Sequence, residues 1–389
     1  MPEIPPPSQL AASAVIACGG TGGHFFPGLA VAEELRRRGC RVTLMVSPKD
    51  IDQQAIASIS GMGIVTLPAV GLNRGGWISF LAAFWKSFRL ARQLFAHERP
   101  DVVLAMGGFV SAPPVAAGKL CGAKTFIHES NSIPGRANRC LARWVDGAFV
   151  YFSMAQERLR AKRVEVAGMP VRSQFLLPLT PADARAALGL NPSAPVVLVM
   201  GGSQGASKVN ELALAAVPAL RRAAPDLQFM HLTGARDLER VRAGYQALHV
   251  PALVRAFCDE MPVALAGADA VVSRAGASSL AELAARRVPA VLIPYPTAAD
   301  NHQHFNALAF ARSGAARMLQ QDTATPGLLA REVLDLLDAS KRSAMQQALA
   351  AWHAPGASVQ IADSILHWNT GQNQASSVSA AKQKPVLNF

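Results

Sequence analysis

The sequence predicts an α/β protein built from two doubly wound parallel sheets, and three observations carry that prediction. A short apolar run, Ala14–Ala17, empties into Gly19-Gly20-Thr21-Gly22-Gly23-His24, and a second, Val196–Met200, into Gly201-Gly202-Ser203-Gln204-Gly205-Ala206. Strand-like and helical stretches then alternate through each half, as βαβ units require. Half of the 389 residues are hydrophobic and 16% are charged, a balance that suits buried parallel strands and not a disordered chain.

In the first half the strand-like runs lie at 14–17, 41–46, 64–67, 101–105, 124–128 and 145–150, and a helical pattern runs from Leu29 to Arg38. A second series lies at 196–200, 227–232, 253–256, 270–273 and 290–293, with a helical pattern from Asn210 to Ala223. Between the series, Gly168-Met169-Pro170-Val171-Arg172 and the stretch around Pro178 to Pro181 read as a linker. The expected domains are therefore 13–170 and 171–351, facing one another across a cleft. The segment 352–368, whose pattern places Ile361, Ile365 and Leu366 on one face, is a candidate to pack back across the boundary. Residues 1–12 and 370–389 are expected to be disordered, the latter because a Gln, Asn, Ser and Lys-rich composition buries too little surface to offset its ordering entropy.

A formal charge of +12 must face something anionic: nucleic acid, acidic lipid headgroups or phosphorylated substrates. Three tyrosines and no basic run with interleaved aromatics argue against nucleic acid. The five cysteines are scattered without C-x-x-C spacing, which argues against a disulfide framework and a zinc site and fits a reducing compartment. The start, MPEIPPPSQL, has no basic n-region, so no signal peptide is read. No apolar stretch approaches the roughly 20 residues of a spanning helix.

Glycine turns between a strand and a helix suit phosphate, because the backbone comes close to the anion and the helix N–H groups point at it. Neither turn is the dinucleotide G-x-G-x-x-G or the G-x-x-x-x-G-K-[ST] loop, so NAD and ATP are weak readings. A third helix start, Ser273-Arg274-Ala275-Gly276-Ala277-Ser278-Ser279, leads to Glu282 one turn in. It suits a nucleoside diphosphate, with phosphates on the N–H groups and Ser279, and both ribose hydroxyls on Glu282; the plainer reading is a capped helix. Asp300, Asn301, His302, Gln303 and Asn306 cluster past the run 290–293, and Arg172 in the linker could reach a diphosphate.

His24 directly follows the first glycine turn and is the side chain best suited to take a proton from a hydroxyl near neutral pH. His128-Glu129-Ser130-Asn131 offers a second base, or a loop network. Asp50-Ile51-Asp52 has the D-x-D form but reads as an acidic pair at a helix start, so no metal is expected. Between Leu72 and Phe88 the helical face carries Trp77, Ile78, Leu81, Phe84, Trp85 and Phe88, with Arg74, Lys86, Arg89 and Arg92 beside it. A basic helix with aromatics on one face suits a lipid interface, although core is the common use of such a face.

GGTGGH, MGGFVSAP (106–113), HESN (128–131), GMPVR (168–172), GGSQGA (201–206), SRAGASSLAE (273–282) and DNHQHFNA (300–307) occur in that order. With these motifs the chain resembles the MurG family, peptidoglycan N-acetylglucosaminyltransferases, over roughly 14–350. The resemblance implies a GT-B fold, UDP-N-acetylglucosamine as donor and lipid I (undecaprenyl-diphospho-muramoyl-pentapeptide) as acceptor. It further implies a peripheral place on the cytoplasmic face of the inner membrane, near the cell-wall and division machinery, and no cofactor. By motif position it makes Thr21, Gly22, Gly23, Asn131, Arg172, Ser203 and Gln303 donor contacts, puts uracil at the backbone of Cys258, and puts phosphate and ribose at Ala277, Ser278, Ser279, Leu280, Ala281 and Glu282. His24 falls on the family's glycine-loop histidine and Glu129 on its acidic neighbour. Four positions depart from the pattern: Phe109 stands for Tyr, Ser130 for Gln, Met169 for Asn and Ala275 for Ser, each removing a polar group expected near the cleft. The implied reaction is direct inversion, with His24 as base and His128 or Glu129 in reserve, and with helix N–H groups and Arg172 in place of a metal. The rivals are a UDP-N-acetylglucosamine 2-epimerase, a non-catalytic UDP-sugar-binding scaffold, and a transferase with a diacylglycerol acceptor.

Overall fold

A computed structural model describes residues 12–19, 22–48, 59, 61–68, 76–202 and 205–369. Thr21, Ser203, Arg74, the Asp50–Asp52 pair and the two terminal segments expected to be disordered lie outside these residues, apart from Ala12.

The first sheet contains β1 (Ser13–Ala17), β2 (Arg41–Val46), β3 (Gly63–Thr66), β4 (Val102–Ala105), β5 (Lys124–Glu129), β6 (Gly147–Val150) and β7 (Val164–Val166), in the order β3-β2-β1-β4-β5-β6-β7. Every pairing is parallel, with Ile16 opposite Leu44 on one side and Leu104 on the other. The second contains β8 (Val196–Met200), β9 (Gln228–Leu232), β10 (Ala252–Arg255), β11 (Ala270–Ser273), β12 (Ala290–Leu292) and β13 (Arg317–Met318), in the order β10-β9-β8-β11-β12-β13, also parallel throughout. In both sheets the strand order reverses beside the strand that feeds the glycine turn. At such a reversal the loops at the carboxyl ends diverge and leave room for a ligand. The edge strands β7 and β13 were not foreseen: at three and two residues they are too short for a periodic signal.

Helices α1 (Gly22–Arg37), α2 (Gly76–His97), α3 (Ala112–Leu120) and α4 (Arg136–Leu141) follow in the first half. The second half carries α5 (Pro181–Ala187), α6 (Ser207–Ala223), α7 (Leu238–Ala247), α8 (Met261–Gly267), α9 (Ala277–Arg286), α10 (His302–Arg312), α11 (Pro326–Leu337) and α12 (Ala339–Trp352), and α13 (Ala357–Asn369) closes the chain's described part. Both α1 and α6 begin earlier than the apolar periodicity indicates, directly off their glycine turns, because their first turns mix core residues, Phe25 in α1 and Val209 in α6, with glycine and polar residues that break the pattern. Contacts divide the chain into one unit of 1–130, 134–170 and 356–389 and another of 131–133 and 171–355.

In the first unit one core lies between the sheet and the pair α1 and α13, with Leu35, Phe126, Ile361 and Ile365 buried together. Trp368 stands edge-on to Phe126 at 5.5 Å. On the opposite face Phe88, Ala91 and Phe95 of α2 pack against Val15, Val103 and Ile127. Phe88 is therefore a core residue and is removed from the expected lipid-facing set; Phe84 packs partly buried against the same cluster. The supposed linker after Val171 is no free tether, since Phe175 is buried within the second unit.

Candidate active site

In the first unit the candidate residue at the glycine turn is His24. The residue lies in the first turn of α1, half-buried, and its ring lies over Gly107 at the carboxyl end of β4. A Cβ on Gly107 would come 2.9 Å from His24 Cε1, and its φ of +111° is one that only glycine adopts readily. The Gly107-Gly108 pair thus clears the space that lets the imidazole lie against the strand end, a role that composition alone did not reveal.

His128 and Glu129 do not fit the catalytic roles expected of them. His128 is fully buried at the end of β5, and its Nε2 is 3.0 Å from the carbonyl of Gly168. Burial, with the nearby His24 as a lesser cause, lowers its pKa to about 4, so the ring is neutral near pH 7 and donates to that carbonyl. Glu129 is also buried and braces the following loop: its Oε2 accepts from the Gly135 amide at 2.9 Å and from Asn138 Nδ2 at 2.8 Å. Both side chains are withdrawn from solvent by the structure they hold, and we remove them from the set of candidate bases.

The second unit gathers the nucleotide candidates. Gly276 precedes α9 without a side-chain cap, so the helix start presents backbone rather than a carboxylate or hydroxyl acceptor. One turn in, Glu282 retains 15% of its side-chain exposure and faces Arg172, whose Nη2 is 3.7 Å from Glu282 Oε1. Burial pushes the Glu282 carboxyl up to about 7, against the opposing pull of Arg172. Arg172 also lies over the ring of Phe175 at 5.0 Å. In this way residues 110 positions apart meet as one ion pair.

Asn306 on α10 joins three loops. Its Oδ1 accepts from the amide and hydroxyl of Ser132 at 2.9 and 2.8 Å, and its Nδ2 donates to Asn131 Oδ1 and to the carbonyl of Ala275, each at 3.1 Å. Asn131, a residue of the HESN motif, is thereby seated in the second unit, next to the loop that starts α9. Gln303 is half-buried and accepts from the Tyr295 amide at 3.0 Å. Arg274 was passed over in the sequence: it is buried, and it donates to the carbonyls of Ile293 and Pro294 and to Gln321 Oε1. It ties the loop after β11 to the loop after β12. An arginine set among small residues just past a strand was the available signal. Cys258 is half-buried, and burial pushes its thiol pKa up. Gly22 and Gly23 open α1; Ala277, Ser278, Ser279, Leu280 and Ala281 form the first turns of α9.

Three of the four departures point inward. Met169, Ala275 and Ser130 are buried; only Phe109 reaches the surface, edge-on to Phe80 at 5.7 Å. On α2 the outward residues are Trp77, Ile78, Leu81 and Trp85, with Ile78 85% and Trp77 68% exposed. Exposed Lys86, Arg89 and Arg92 accompany them, Arg89 lying over the Trp85 ring at 5.6 Å. Among the described residues no helix is long and apolar enough to cross a membrane.

Twin parallel sheets led by glycine turns, with a carboxylate and an arginine beside an uncapped helix start, define a two-domain glycosyltransferase of the GT-B class. The chain belongs to glycosyltransferase family 28: the N-terminal domain of that family matches residues 14–150 and the C-terminal domain residues 196–361. It is 38% identical to a UDP-N-acetylglucosamine–N-acetylmuramyl-(pentapeptide) pyrophosphoryl-undecaprenol N-acetylglucosamine transferase of Anaeromyxobacter dehalogenans, over 90% of this chain and 91% of that protein. A protein of the same name from Synechococcus elongatus is 36% identical over 90% and 94% of the two chains. The crystal structure of Acinetobacter baumannii MurG superposes with a TM-score of 0.70 at 28% identity, over 92% of this chain and all of that one. A UDP-N-acetylglucosamine 2-epimerase reaches 0.69 at 13% identity, over 94% and 99%, a likeness of fold alone.

Proposed function

We propose that this protein transfers N-acetylglucosamine from its UDP donor to the C4 hydroxyl of the muramoyl sugar of undecaprenyl-diphospho-MurNAc-pentapeptide, inverting the anomeric centre to make lipid II. The observation that carries the reading is the Arg172–Glu282 pair beside the start of α9, in a chain at least 36% identical to transferases of that name across nine-tenths of its length. Glu282 accepts the ribose hydroxyls, and the first turn of α9 with Arg172 takes up the charge that develops on the leaving diphosphate. Asn131 and Gln303 contact the sugar nucleotide, and the backbone at Cys258 holds uracil. His24, framed by Gly107, takes the proton from the acceptor hydroxyl.

The outward face of α2, Trp77, Ile78, Leu81 and Trp85 with its basic neighbours, docks on an anionic membrane surface, where the polyprenyl acceptor resides. Docking from one side places the protein peripherally, on the cytoplasmic face of the inner membrane.

The test is transfer of radiolabelled N-acetylglucosamine to a short-chain lipid I analogue, run with and without EDTA. Transfer at full rate in the chelator is expected. No transfer, with donor bound, favours a scaffold; appearance of the manno-isomer from donor alone favours the epimerase; and a strict Mg²⁺ requirement returns the Asp50–Asp52 pair to consideration.

A further inference from the structure

The other end of α9 carries a feature that the donor site does not use. Two adjoining cavities of about 630 and 420 Å³ share Leu179, Arg286 and Arg287 in their walls, within the size range of small-molecule sites. Arg286 donates to the carbonyls of Leu177 and Gln174, yet its buried Nε has no hydrogen-bond partner. Among the described residues neither Arg286 nor Arg287 has a carboxylate within ion-pair distance. The two acids of the walls are committed elsewhere: Asp183 to the Thr180 hydroxyl, and Asp269 to Arg185 and Arg342. His353 adds a ring whose pKa is lowered by burial and by Arg287.

Arg287 also holds a backbone conformation that arginine seldom takes. It ends α9 with φ +53° and ψ +40°, the left-handed position that glycine or asparagine ordinarily fills. Strain retained at a charged, exposed residue on a cavity wall points to a use for the charge. Cations at a helix C-terminus do complement its dipole, but that asks for neither a strained backbone nor a cavity. Apolar side chains make up much of the remaining wall: Leu176 and Leu177 are exposed, the latter 60%, and Leu179 lines both cavities.

We propose that this groove binds an amphiphilic anion, a phosphate-type head on Arg286 and Arg287 with an apolar chain along Leu176, Leu177 and Leu179. The site lies about 14 Å along α9 from the helix start that faces the donor, by the helical rise of ten residues, so the two can be filled together.

Decyl phosphate, titrated into the full chain by calorimetry with UDP held saturating, tests the assignment. The Leu81→Glu background silences the apolar face of α2. Saturable binding is expected, at least about tenfold weaker in Arg287→Asn and weaker still in Arg287→Glu, on the scale of one lost charged contact. Asparagine accepts the left-handed backbone, so Arg287→Asn keeps the fold, and its sugar transfer without amphiphile should match the parent. Arg287→Asn affinity within twofold of the parent, or displacement of decyl phosphate by UDP, overturns the proposal. Equal affinity for inorganic phosphate overturns the amphiphile and leaves a free phosphate as the source of the head group's chemistry.

Discussion

His24 shows how much one side chain depends on what its neighbours lack. Its ring occupies space that Gly107 leaves open, and any side chain at that position would collide with it. His24→Ala should lower turnover by at least about 100-fold while leaving UDP affinity unchanged, the signature of a lost proton acceptor and not of lost binding. Steady-state rates with direct UDP titration separate the two, and a near-normal rate would remove His24 from the role. Glu282 gives a second prediction. With its carboxyl near 7, only the ionised form accepts two ribose hydroxyls, so donor affinity should rise about tenfold from pH 6 to pH 8. Glu282→Gln should bind more weakly and show no such slope; a wild-type affinity that stays flat over this range would mean that Glu282 does not hold the ribose.

At the scale of elements, α2 divides its surface between two solvents. Phe88, Ala91 and Phe95 enter the core, while Trp77, Ile78, Leu81 and Trp85 remain outside. Leu81→Glu should leave the fold intact and sharply reduce co-sedimentation with anionic phospholipid vesicles. Phe88→Glu should instead unfold the first unit, because a carboxylate would enter the core without a partner. Equal vesicle binding by parent and Leu81→Glu would rule out this face as the anchor. The helical period placed all six residues on one stripe, but periodicity cannot tell which edge of a wide stripe the sheet covers. That a helix follows each glycine turn was legible because strand, glycine and helix succeed one another; where α1 and α6 begin was not, since apolar periodicity starts only at Leu29 and Asn210 while the helices start at Gly22 and Ser207. The edge strands β7 and β13 were not, because their pairing comes from neighbours and not from their own pattern.

For the whole molecule, two buried histidines make stability depend on pH in the same direction in both units. His128 in one and His231 in the other have pKa values lowered to about 4, mainly by burial, against 6.5 for the free side chain. The unfolded chain therefore binds more protons between pH 4 and 6.5. Stability is complete above about 6.5 and falls as pH drops toward 4, by about 3 kcal/mol for each histidine. Denaturant unfolding at pH 7 and pH 5 should show the loss, and His231→Gln should reduce it in the second unit. A midpoint that does not move between those pH values would contradict the burial of both rings.

The alternation of strands and helices apart from β7 and β13, the two glycine turns and the family resemblance could be read along the chain, since each is a local pattern of residue types. What lay beyond that reading was which side chains are turned inward. Glu129 and His128 carry the chemistry of a catalytic pair, yet packing at the end of β5 makes them braces, whereas Arg172 and Glu282, distant in the chain, meet only because the second sheet folds. Composition and spacing name the groups that can act; burial, which depends on contacts far apart in sequence, selects the ones that reach a ligand.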